Sequence, residues 1–417
     1  MPFDLSQHVT LLLRSPRFVL AGICLCAVSF LGGCRTGAFP EYPTDYREYA
    51  YVADTGSDTV SVLDLVHIRQ QAVLSVAPRP IALAVNPVRN EVYVLSQGAA
   101  PASTGSLAIV DSQSNQVVAQ IRLGRTPSAL AVNAAGTRLY VANTAANSIS
   151  TIDLDTRRQT SVVGAGEMPD AIATSPDGST LVVANGQSGS VTLMDLRAPG
   201  TPVLRASFAG CPGAASILVL NDSSKAFVAC AGGHQVMAIA LRTPAELHHP
   251  GMLPVEHDSL LAMLDVGLGP VRLIPKPDGG EIFVANQDAD TISEIATGTN
   301  EVGGATLIGD HPVDGVVSAD NALLWVANQT ADTVAIYSVD DGKLINTVHV
   351  GAGPGPVAFS ADGHLLLAAN TRSGDVSVLR TFSRNFRREP VYGTLFTLLP
   401  AGKNPSAIAD KAFRLSH

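Results

Sequence analysis

Short apolar runs recur along the chain at a nearly constant interval, and each run ends in Ala-Asn or a close variant. The second residues of the eight copies lie 42, 47, 42, 45, 56, 42 and 42 positions apart. This interval is typical of a radial β-repeat rather than of a helical solenoid. The copies are AYVAD (50–54), VYVLS (92–96), LYVAN (139–143), LVVAN (181–185), AFVAC (226–230), IFVAN (282–286), LWVAN (324–328) and LLAAN (366–370).

Each repeat divides into four short strands when the turn residues are marked. After the apolar run and a polar loop comes a strand that alternates apolar and polar residues, such as SISTID (148–153). The next strand ends in a Gly-x-x-Pro corner, such as GRTP (124–127), and the strand after the corner ends in a tight turn such as SPDG (175–178). Period-2 strands joined by short Asp-Gly turns predict antiparallel meanders.

The strand after each corner proline is rich in alanine, which suits a position where several sheets converge on one axis. We therefore place this strand innermost. The pattern predicts an all-β, eight-bladed β-propeller of four-stranded antiparallel blades, with seven blades as the alternative. Because the chain ends after an inner strand, that strand (405–410) should complete the first blade and close the ring. The corner prolines are Pro80, Pro127, Pro169, Pro212, Pro270, Pro312, Pro356 and Pro405.

The N-terminal segment carries a separate signal. Two arginines precede an apolar run at 18–31, which has the length of the hydrophobic region of a secretory signal and is short for a membrane span. The following LGGC (31–34) resembles a bacterial lipobox, whose cysteine is diacylated and becomes the mature N-terminus. The resemblance implies an exported protein held to the membrane only through lipid on Cys34, and Arg35 favours the outer membrane. An ordinary signal peptide or anchor is the alternative.

These patterns set the expected boundaries of the chain. We assign residues 1–33 to a lipoprotein signal peptide, 34–49 to a tether and 50–413 to the propeller. The tether sequence, RTGAFPEYPTDYREY at 35–49, has no regular period.

Several features of the repeat occur together at fixed offsets: the Tyr-Val-x-Asn strand, the alternating strand that ends in Asp, the Gly-x-x-Pro corner and the Ser-Pro-Asp-Gly turn. Together they resemble the YVTN β-propeller repeat of bacterial and archaeal surface-layer and secreted proteins, over roughly residues 50–411. The resemblance implies the fold strongly and the function weakly, because similar repeats occur in dehydrogenase and reductase propellers, in lactonases and in binding scaffolds. Many relatives have seven blades, so eight is a departure.

Net charge narrows the class of partner. The formal net charge is −9 at pH 7, and an acidic domain offers no general basic surface to bind phosphates. We therefore predict no nucleic-acid partner.

Two cysteines remain after the N-terminal segment. Cys230 stands where most copies have asparagine, and Cys211 lies in the corner that leads into the inner strand of the same blade. Export would place both in an oxidising compartment. We predict a Cys211–Cys230 disulfide, with two buried thiols as the alternative.

The sharpest departures from the repeat lie two residues after the corner proline. Most copies have alanine there, but two consecutive blades have Arg272 and Asp314. One interpretation is an ion pair between blades. The other is a polar binding patch near the central channel, extended by Asp310 and His311 in the neighbouring corner.

Two insertions break the period and should emerge on the face opposite the corners. The insertion at 243–258 contains His248, His249 and His257, but their spacing matches no defined metal site. The insertion at 381–392 carries a basic and aromatic cluster. It is either a partner-docking loop or a plain surface excursion. Its candidate docking residues are Arg384, Phe386, Arg387 and Arg388.

Sequence motifs for catalysis are scarce. The chain has no Cys-x-x-Cys-His for covalent haem, no Gly-x-Ser-x-Gly elbow and no phosphate-binding Gly-x-x-x-x-Gly-Lys-Ser/Thr loop. We therefore predict a non-catalytic, monomeric binding or assembly scaffold at the cell envelope, with no catalytic residue, metal or cofactor. Its partner would be an envelope protein or a small ligand. The alternatives are a propeller enzyme, either lactonase-like or a dehydrogenase-like oxidoreductase, and a surface-layer or adhesion component.

Overall fold

The computed structural model describes residues 40–101, 103–197, 200–242, 256–385 and 387–415. Residues Thr44–His417 form one compact unit. The unit contains every strand of the described chain and the buried core that these strands form. No described helix is long and apolar enough to cross a membrane. The predicted signal at 1–33 and the predicted lipidation site Cys34 lie outside the described residues.

Thirty-two described strands form eight separate sheets of four antiparallel strands each. The prediction of an eight-bladed β-propeller is confirmed. Blade 1 consists of β32 and β1–β3, and blades 2–8 consist of β4–β7, β8–β11, β12–β15, β16–β19, β20–β23, β24–β27 and β28–β31. Within a blade, the strands are called inner, second, third and outer.

The inner strands are β4 Pro80–Val85, β8 Pro127–Val132, β12 Pro169–Thr174, β16 Ala214–Val219, β20 Pro270–Pro275, β24 Pro312–Val317, β28 Pro354–Phe359 and β32 Pro405–Arg414. The second strands are β1 Tyr46–Asp54, β5 Glu91–Ser96, β9 Arg138–Asn143, β13 Thr180–Asn185, β17 Lys225–Cys230, β21 Glu281–Asn286, β25 Leu323–Asn328 and β29 Leu365–Asn370. The third strands are β2 Thr59–Asp64, β6 Thr104–Asp111, β10 Ser148–Asp153, β14 Ser190–Asp195, β18 Gln235–Ala240, β22 Thr291–Ala296, β26 Thr333–Ser338 and β30 Asp375–Arg384. The outer strands are β3 Arg69–Ser75, β7 Gln116–Arg125, β11 Arg158–Gly164, β15 Val203–Ala209, β19 Ser259–Asp265, β23 Glu301–Leu307, β27 Lys343–His349 and β31 Pro390–Pro400. Among the described residues, two 3-10 turns, Thr144–Ala146 and Gln287–Ala289, follow the second strands of blades 3 and 6.

Apolar side chains of the second and third strands pack between neighbouring blades. Tyr51 of blade 1 packs with Val92 and Val94 of blade 2, and Trp325 of blade 7 packs with Leu366 of blade 8. The aromatic residues of the repeated apolar runs are fully buried, and burial of such a side chain contributes about 1.5–3 kcal/mol. The repeated apolar run therefore supplies the core that holds adjacent blades together.

The two ends of the propeller meet in blade 1. β32 pairs with β1 along its whole length, from Tyr46 opposite Arg414 to Asp54 opposite Pro405. β1 begins four residues before the expected start of the propeller at residue 50. The last four residues of β32 provide partners for these additional residues, which explains why an aperiodic sequence becomes a strand.

The corner residue that precedes each inner strand adopts a positive φ in every blade. This conformation turns the chain sharply into the inner strand. The positions of these residues correct the predicted corner proline in two blades. β16 begins at Ala214 after Gly213 rather than at Pro212, and β28 begins at Pro354 rather than at Pro356. The positive-φ residues are Arg79, Thr126, Met168, Gly213, Gly269, His311, Gly353 and Asn404.

In six of the eight blades a glycine starts the corner and lies against the residue that closes the second strand. A Cβ added to Gly166 would lie 2.5 Å from Cγ of Asn185, and a Cβ added to Gly267 would lie 2.7 Å from Cγ of Asn286. The asparagine in turn donates to hydroxyl groups of the third strand, as Asn185 Nδ2 does to Thr192 Oγ1 at 2.9 Å. The asparagines therefore fix the corner and the strand pairing, rather than forming a ring of ligands.

In blade 5 both members of this contact are cysteine. Cys211 occupies the glycine position, Cys230 occupies the asparagine position, and the structure joins them in a disulfide with a Cα–Cα distance of 4.8 Å. Both residues are fully buried. A covalent bond therefore replaces the Gly–Asn contact that blades 3, 4, 6, 7 and 8 use.

Removal of this bond should destabilise the propeller. Closure of a loop with a sequence separation of 19 corresponds to about 3 kcal/mol in the loop-entropy model. We expect Cys211→Ala/Cys230→Ala to lower the free energy of unfolding by about this amount. Cys211→Gly/Cys230→Asn should recover part of the loss, because it restores the contact that other blades use. Equal denaturation midpoints for the two double variants would contradict the equivalence of these contacts.

A buried carboxyl pair lies where blade 8 meets the closing blade. Tyr46 Oη donates to Glu48 Oε2 at 2.6 Å, and the Ala361 N–H of blade 8 donates to Glu48 Oε1 at 2.7 Å. Glu48 and Asp410 also share a hydrogen bond. Burial, with the neighbouring Glu48 charge as a smaller cause, raises the pKa of Asp410 to about 8, and burial also raises the pKa of Glu48.

This pair should make stability depend on pH. In the unfolded chain the pKa of an aspartic acid is about 4, so between about pH 4 and pH 8 the folded protein holds a proton that the unfolded chain has released. The free energy of unfolding should therefore fall as the pH rises through this range. Asp410→Asn, which cannot ionise, should flatten the dependence in denaturation curves at pH 5, 6, 7 and 8. An unchanged slope would show that Asp410 does not hold the proton.

Candidate functional site

A cavity of about 400 Å³ opens beside the central axis, on the face that carries the Gly-x-x-Pro corners. Its walls come from the starts of inner strands and from the residues that follow second strands in blades 6, 7, 8 and 1. Each blade contributes only one to three side chains, because its inner strand reaches the axis edge-on. The lining residues are Val271, Arg272, Val313, Asp314, Gln329, Gly355, Pro356, Thr371 and Ser406.

The charged part of the cavity wall is an ion pair between blades. Arg272 Nε lies 2.7 Å from Asp314 Oδ1, and the Arg272 side chain is 52% exposed whereas that of Asp314 is 13% exposed. The N–H of Val357 in blade 8 donates to Asp314 Oδ2 at 3.1 Å. The carboxylate is thus held from both sides, while the guanidinium reaches the open cavity. The ion pair between blades is therefore observed, and its two residues also line the cavity. The binding role of the polar patch stays a prediction.

A third polar residue continues this line into blade 5. Ser216 lies opposite Ala229, as Arg272 lies opposite Ala285 in blade 6. Its Oγ accepts a hydrogen bond from the Leu273 N–H at 3.2 Å. Sequence comparison missed Ser216 because an anchor at Pro212 placed Ala214 at the equivalent position; the positive-φ Gly213 gives the correct register.

Hydroxyl groups line the rest of the cavity and were not singled out from the sequence. Thr371 Oγ1 donates to the Gly353 carbonyl at 2.8 Å, and Thr55 Oγ1 lies 2.7 Å from Ser406 Oγ. Gln329 and Thr371 both follow the asparagine of a second strand. Their position directly after this asparagine could have identified them from the sequence, since residues at that position face the channel mouth.

Another carboxylate lies near the start of the inner strand of blade 4, at the position that Val271 and Val313 occupy in blades 6 and 7. Asp170 follows Pro169 directly, and Thr144 of blade 3 lies within hydrogen-bonding distance, at 3.4 Å from its Oδ1. Burial raises the pKa of Asp170, and the Thr144 contact offsets part of this rise. Asp170 does not line the cavity that contains Arg272.

Asp310 and His311 lie in the corner of blade 7 and form a different cluster with Asp290. One ligand atom from each could approach the others within 4.8 Å. His311 Nδ1 lies 3.4 Å from Asp310 Oδ1, and the His311 N–H donates to Asp290 Oδ1 at 3.0 Å. Equivalent loop residues accept the same corner N–H in other blades, as Asp58 does from Arg79 and Asn147 from Met168. The position of Asp290 therefore follows from the repeat, and neither predicted residue lines the cavity.

The second insertion is mostly strand rather than loop. β30 extends to Arg384 and β31 begins at Pro390, so the two continue as a hairpin beyond the body of blade 8. Arg384, Arg387 and Arg388 are exposed near its tip, on the face opposite the cavity. Phe386 lies outside the described residues, as do His248 and His249 of the first insertion.

Comparison with known families identifies the class of propeller. The family model described as lactonase, 7-bladed beta-propeller matches residues 110–216 and 283–387, about half of the chain. The chain belongs to this family. This lactonase-family propeller has eight blades where the family description gives seven, and no curated protein matches it.

Solved structures share the fold at low sequence identity. Dihydro-heme d1 dehydrogenase NirN, in complex with DHE, aligns with a TM-score of 0.68 and 18% identity over 89% of this chain and 76% of NirN. A candidate 6-phosphogluconolactonase from Bacteroides fragilis NCTC 9343 aligns with a TM-score of 0.60 and 15% identity over 89% of this chain and 100% of its own. At these identities the similarity establishes the fold alone.

Family membership overturns the prediction of a non-catalytic scaffold and favours the lactonase-like alternative. The prediction was wrong because it relied on motifs of fixed local spacing. In a propeller, adjacent wall residues such as Arg272 and Asp314 come from separate repeats, so no short motif contains both.

Proposed function

We propose that the protein is a lactone hydrolase whose site is the cavity at the channel mouth. The observation that carries this proposal is the Arg272–Asp314 pair, in which a half-exposed guanidinium and a fixed carboxylate line one cavity. The lactonase family supports this reaction class. A cavity of about 400 Å³ suits a small molecule.

The pair can divide the work of ester hydrolysis. Asp314 accepts a proton from a water molecule whose oxygen attacks the lactone carbonyl carbon. The carbonyl electrons move to its oxygen, and Arg272 stabilises the resulting negative charge. Collapse of this intermediate breaks the ring C–O bond. The departing alkoxide oxygen then takes the proton from Asp314, and the product is the open hydroxy acid.

The remaining wall residues would orient the substrate. Thr371, Ser406 and Gln329 offer hydroxyl and amide groups that can bond to ring oxygens and substituents. Val271 and Val313 provide an apolar surface beside them. This mixture favours a small, oxygen-rich lactone over a purely aliphatic one.

Loss of the guanidinium should impair catalysis, because it removes the cation that stabilises the oxyanion. We expect Arg272→Met to lower kcat/KM for lactone hydrolysis by roughly 100-fold or more, as removal of an oxyanion donor does in other hydrolases. Asp314→Asn should also lower kcat, since an amide cannot accept the proton. Hydrolysis can be followed by acid release from a panel of sugar and aliphatic δ- and γ-lactones.

The matched control is Arg89→Met, because Arg89 of blade 2 also forms an ion pair between blades, with Asp155 of blade 3 on the opposite face. Its activity should equal that of the unaltered protein. No hydrolysis of any lactone by the unaltered protein, or equal losses in Arg89→Met and Arg272→Met, would contradict the proposal.

We also propose that the protein is an exported lipoprotein anchored through Cys34. The LGGC sequence after the apolar run at 18–31 supports this assignment. In cells given a labelled fatty acid, Cys34→Ser should abolish incorporation of label into the protein. Label retained by the variant would place the lipid elsewhere, and absence of label from the unaltered protein would show that the segment is an ordinary signal.

A further inference from the structure

The hairpin of β30 and β31 projects from the face opposite the cavity. In blade 7 the third strand ends at Ser338, which pairs with Leu323 at the start of its second strand. In blade 8 the equivalent pair is Arg380 with Leu365, and β30 then continues for four more residues to Arg384. At about 3.3 Å per residue this extension is about 13 Å long.

The projection is basic and aromatic in an otherwise acidic protein. Arg384, Arg387 and Arg388 are exposed near the tip, where Glu389 is the only acidic residue. Phe382 is 48% exposed, and the Arg384 guanidinium lies 5.7 Å from the centre of its ring. Tyr392 packs beside Phe382 with ring centres 5.8 Å apart. An arginine cluster around exposed aromatic rings matches the interface between anionic headgroups and acyl chains.

The distance between the hairpin tip and the surrounding surface determines how strongly nearby acidic residues oppose the charge of the arginines. The same face carries aspartates at the ends of third strands, such as Asp64, Asp153 and Asp195. An extension of about 13 Å exceeds the Debye length of about 8 Å at physiological ionic strength. The tip can therefore meet an anionic surface while repulsion from these aspartates is screened.

The chain also enters the propeller at this face. β1 begins at Tyr46, opposite Arg414 at the end of β32 that is far from the corner Pro405. Residues 35–45 connect this point to Cys34 and can span at most about 40 Å. If Cys34 carries lipid, as proposed above, this face cannot lie far from the bilayer.

We propose that the β30–β31 hairpin docks on an anionic lipid surface and turns the cavity away from the membrane. A narrow tip is a poor match for a folded protein partner, because stable complexes bury about 800 Å² per partner. Lipid headgroups need no such area, since each basic side chain near the surface contributes separately.

The test uses the chain from residue 35 onward, which lacks the signal and Cys34 but retains the whole compact unit. Binding is measured by sedimentation with two kinds of phosphatidylcholine vesicle, one without anionic lipid and one with about 30% phosphatidylglycerol. We expect binding only to the anionic vesicles, with affinity that falls as salt rises. Because the anchor is absent, failure of the lipidation proposal leaves this measurement unaffected.

The deciding variant is Arg384→Ser/Arg387→Ser/Arg388→Ser, which should weaken binding roughly 100-fold. The charge-matched control is Arg122→Ser/Arg125→Ser/Arg158→Ser, whose residues are exposed elsewhere on the propeller; it should retain the affinity of the unaltered chain. Equal weakening by both variants, or no preference for anionic vesicles, would overturn the proposal. Binding to an acidic polysaccharide or protein but not to vesicles would also overturn it.

Insertion of the tip gives a second readout. The indole introduced by Phe382→Trp should be quenched by lipids brominated in the acyl chains, in anionic vesicles only. Trp325 is fully buried and should not respond. Absence of quenching in bound protein would show that another surface makes the contact.

Discussion

The pairing of β32 with β1 is the contact on which the rest of the molecule depends. It joins the two ends of the propeller within one sheet and so brings eight inner strands around a common axis. Ser406 lies on β32 and lines the same cavity as Arg272. Ring closure therefore completes the wall of the candidate site as well as the fold, and the buried Glu48–Asp410 pair lies at the same junction.

A regular repeat makes a specific site through a few departures at one position. The inner strands of blades 1–4 place alanine two residues after the corner proline, where backbones crowd near the axis. Blades 5, 6 and 7 instead place Ser216, Arg272 and Asp314 there, and each of the three interacts with the next blade or its backbone. The same substitutions that link the blades also give the cavity its polarity. A stability role and a chemical role are thus compatible at this position.

The fold could be predicted from the sequence because eight copies of the repeat carry the same pattern of strands and turns. Apolar runs, corners and turns agree on one strand order, and an error in one copy is corrected by the others. Local register was harder. Pro212 and Pro356 each lie close to the start of an inner strand, so the sequence pattern predicts them as corner prolines. The positive φ of Gly213 and Gly353 shows where these inner strands begin. The strand at 46–49 was missed because its pattern is set by pairing with the C-terminus, which no local period records.

The site could be predicted only in part, for the same physical reason. Arg272 and Asp314 stand out because they differ from the alanine that blades 1–4 have at this position, whereas Thr371 and Ser406 do not differ enough from ordinary loop residues. Asp310 and His311 lie in a corner on the same face as the cavity, but they do not line it. The proposed reaction class rests on family membership, since residues drawn from different blades form no short motif.

The most direct test of the account is a crystal structure of the protein with a lactam, a ring that resembles a lactone but resists hydrolysis. The account predicts the lactam in the channel-mouth cavity, with its carbonyl oxygen within hydrogen-bonding distance of the Arg272 guanidinium. A lactam bound at another site, with the Arg272–Asp314 cavity filled only by solvent at saturating ligand, would contradict it.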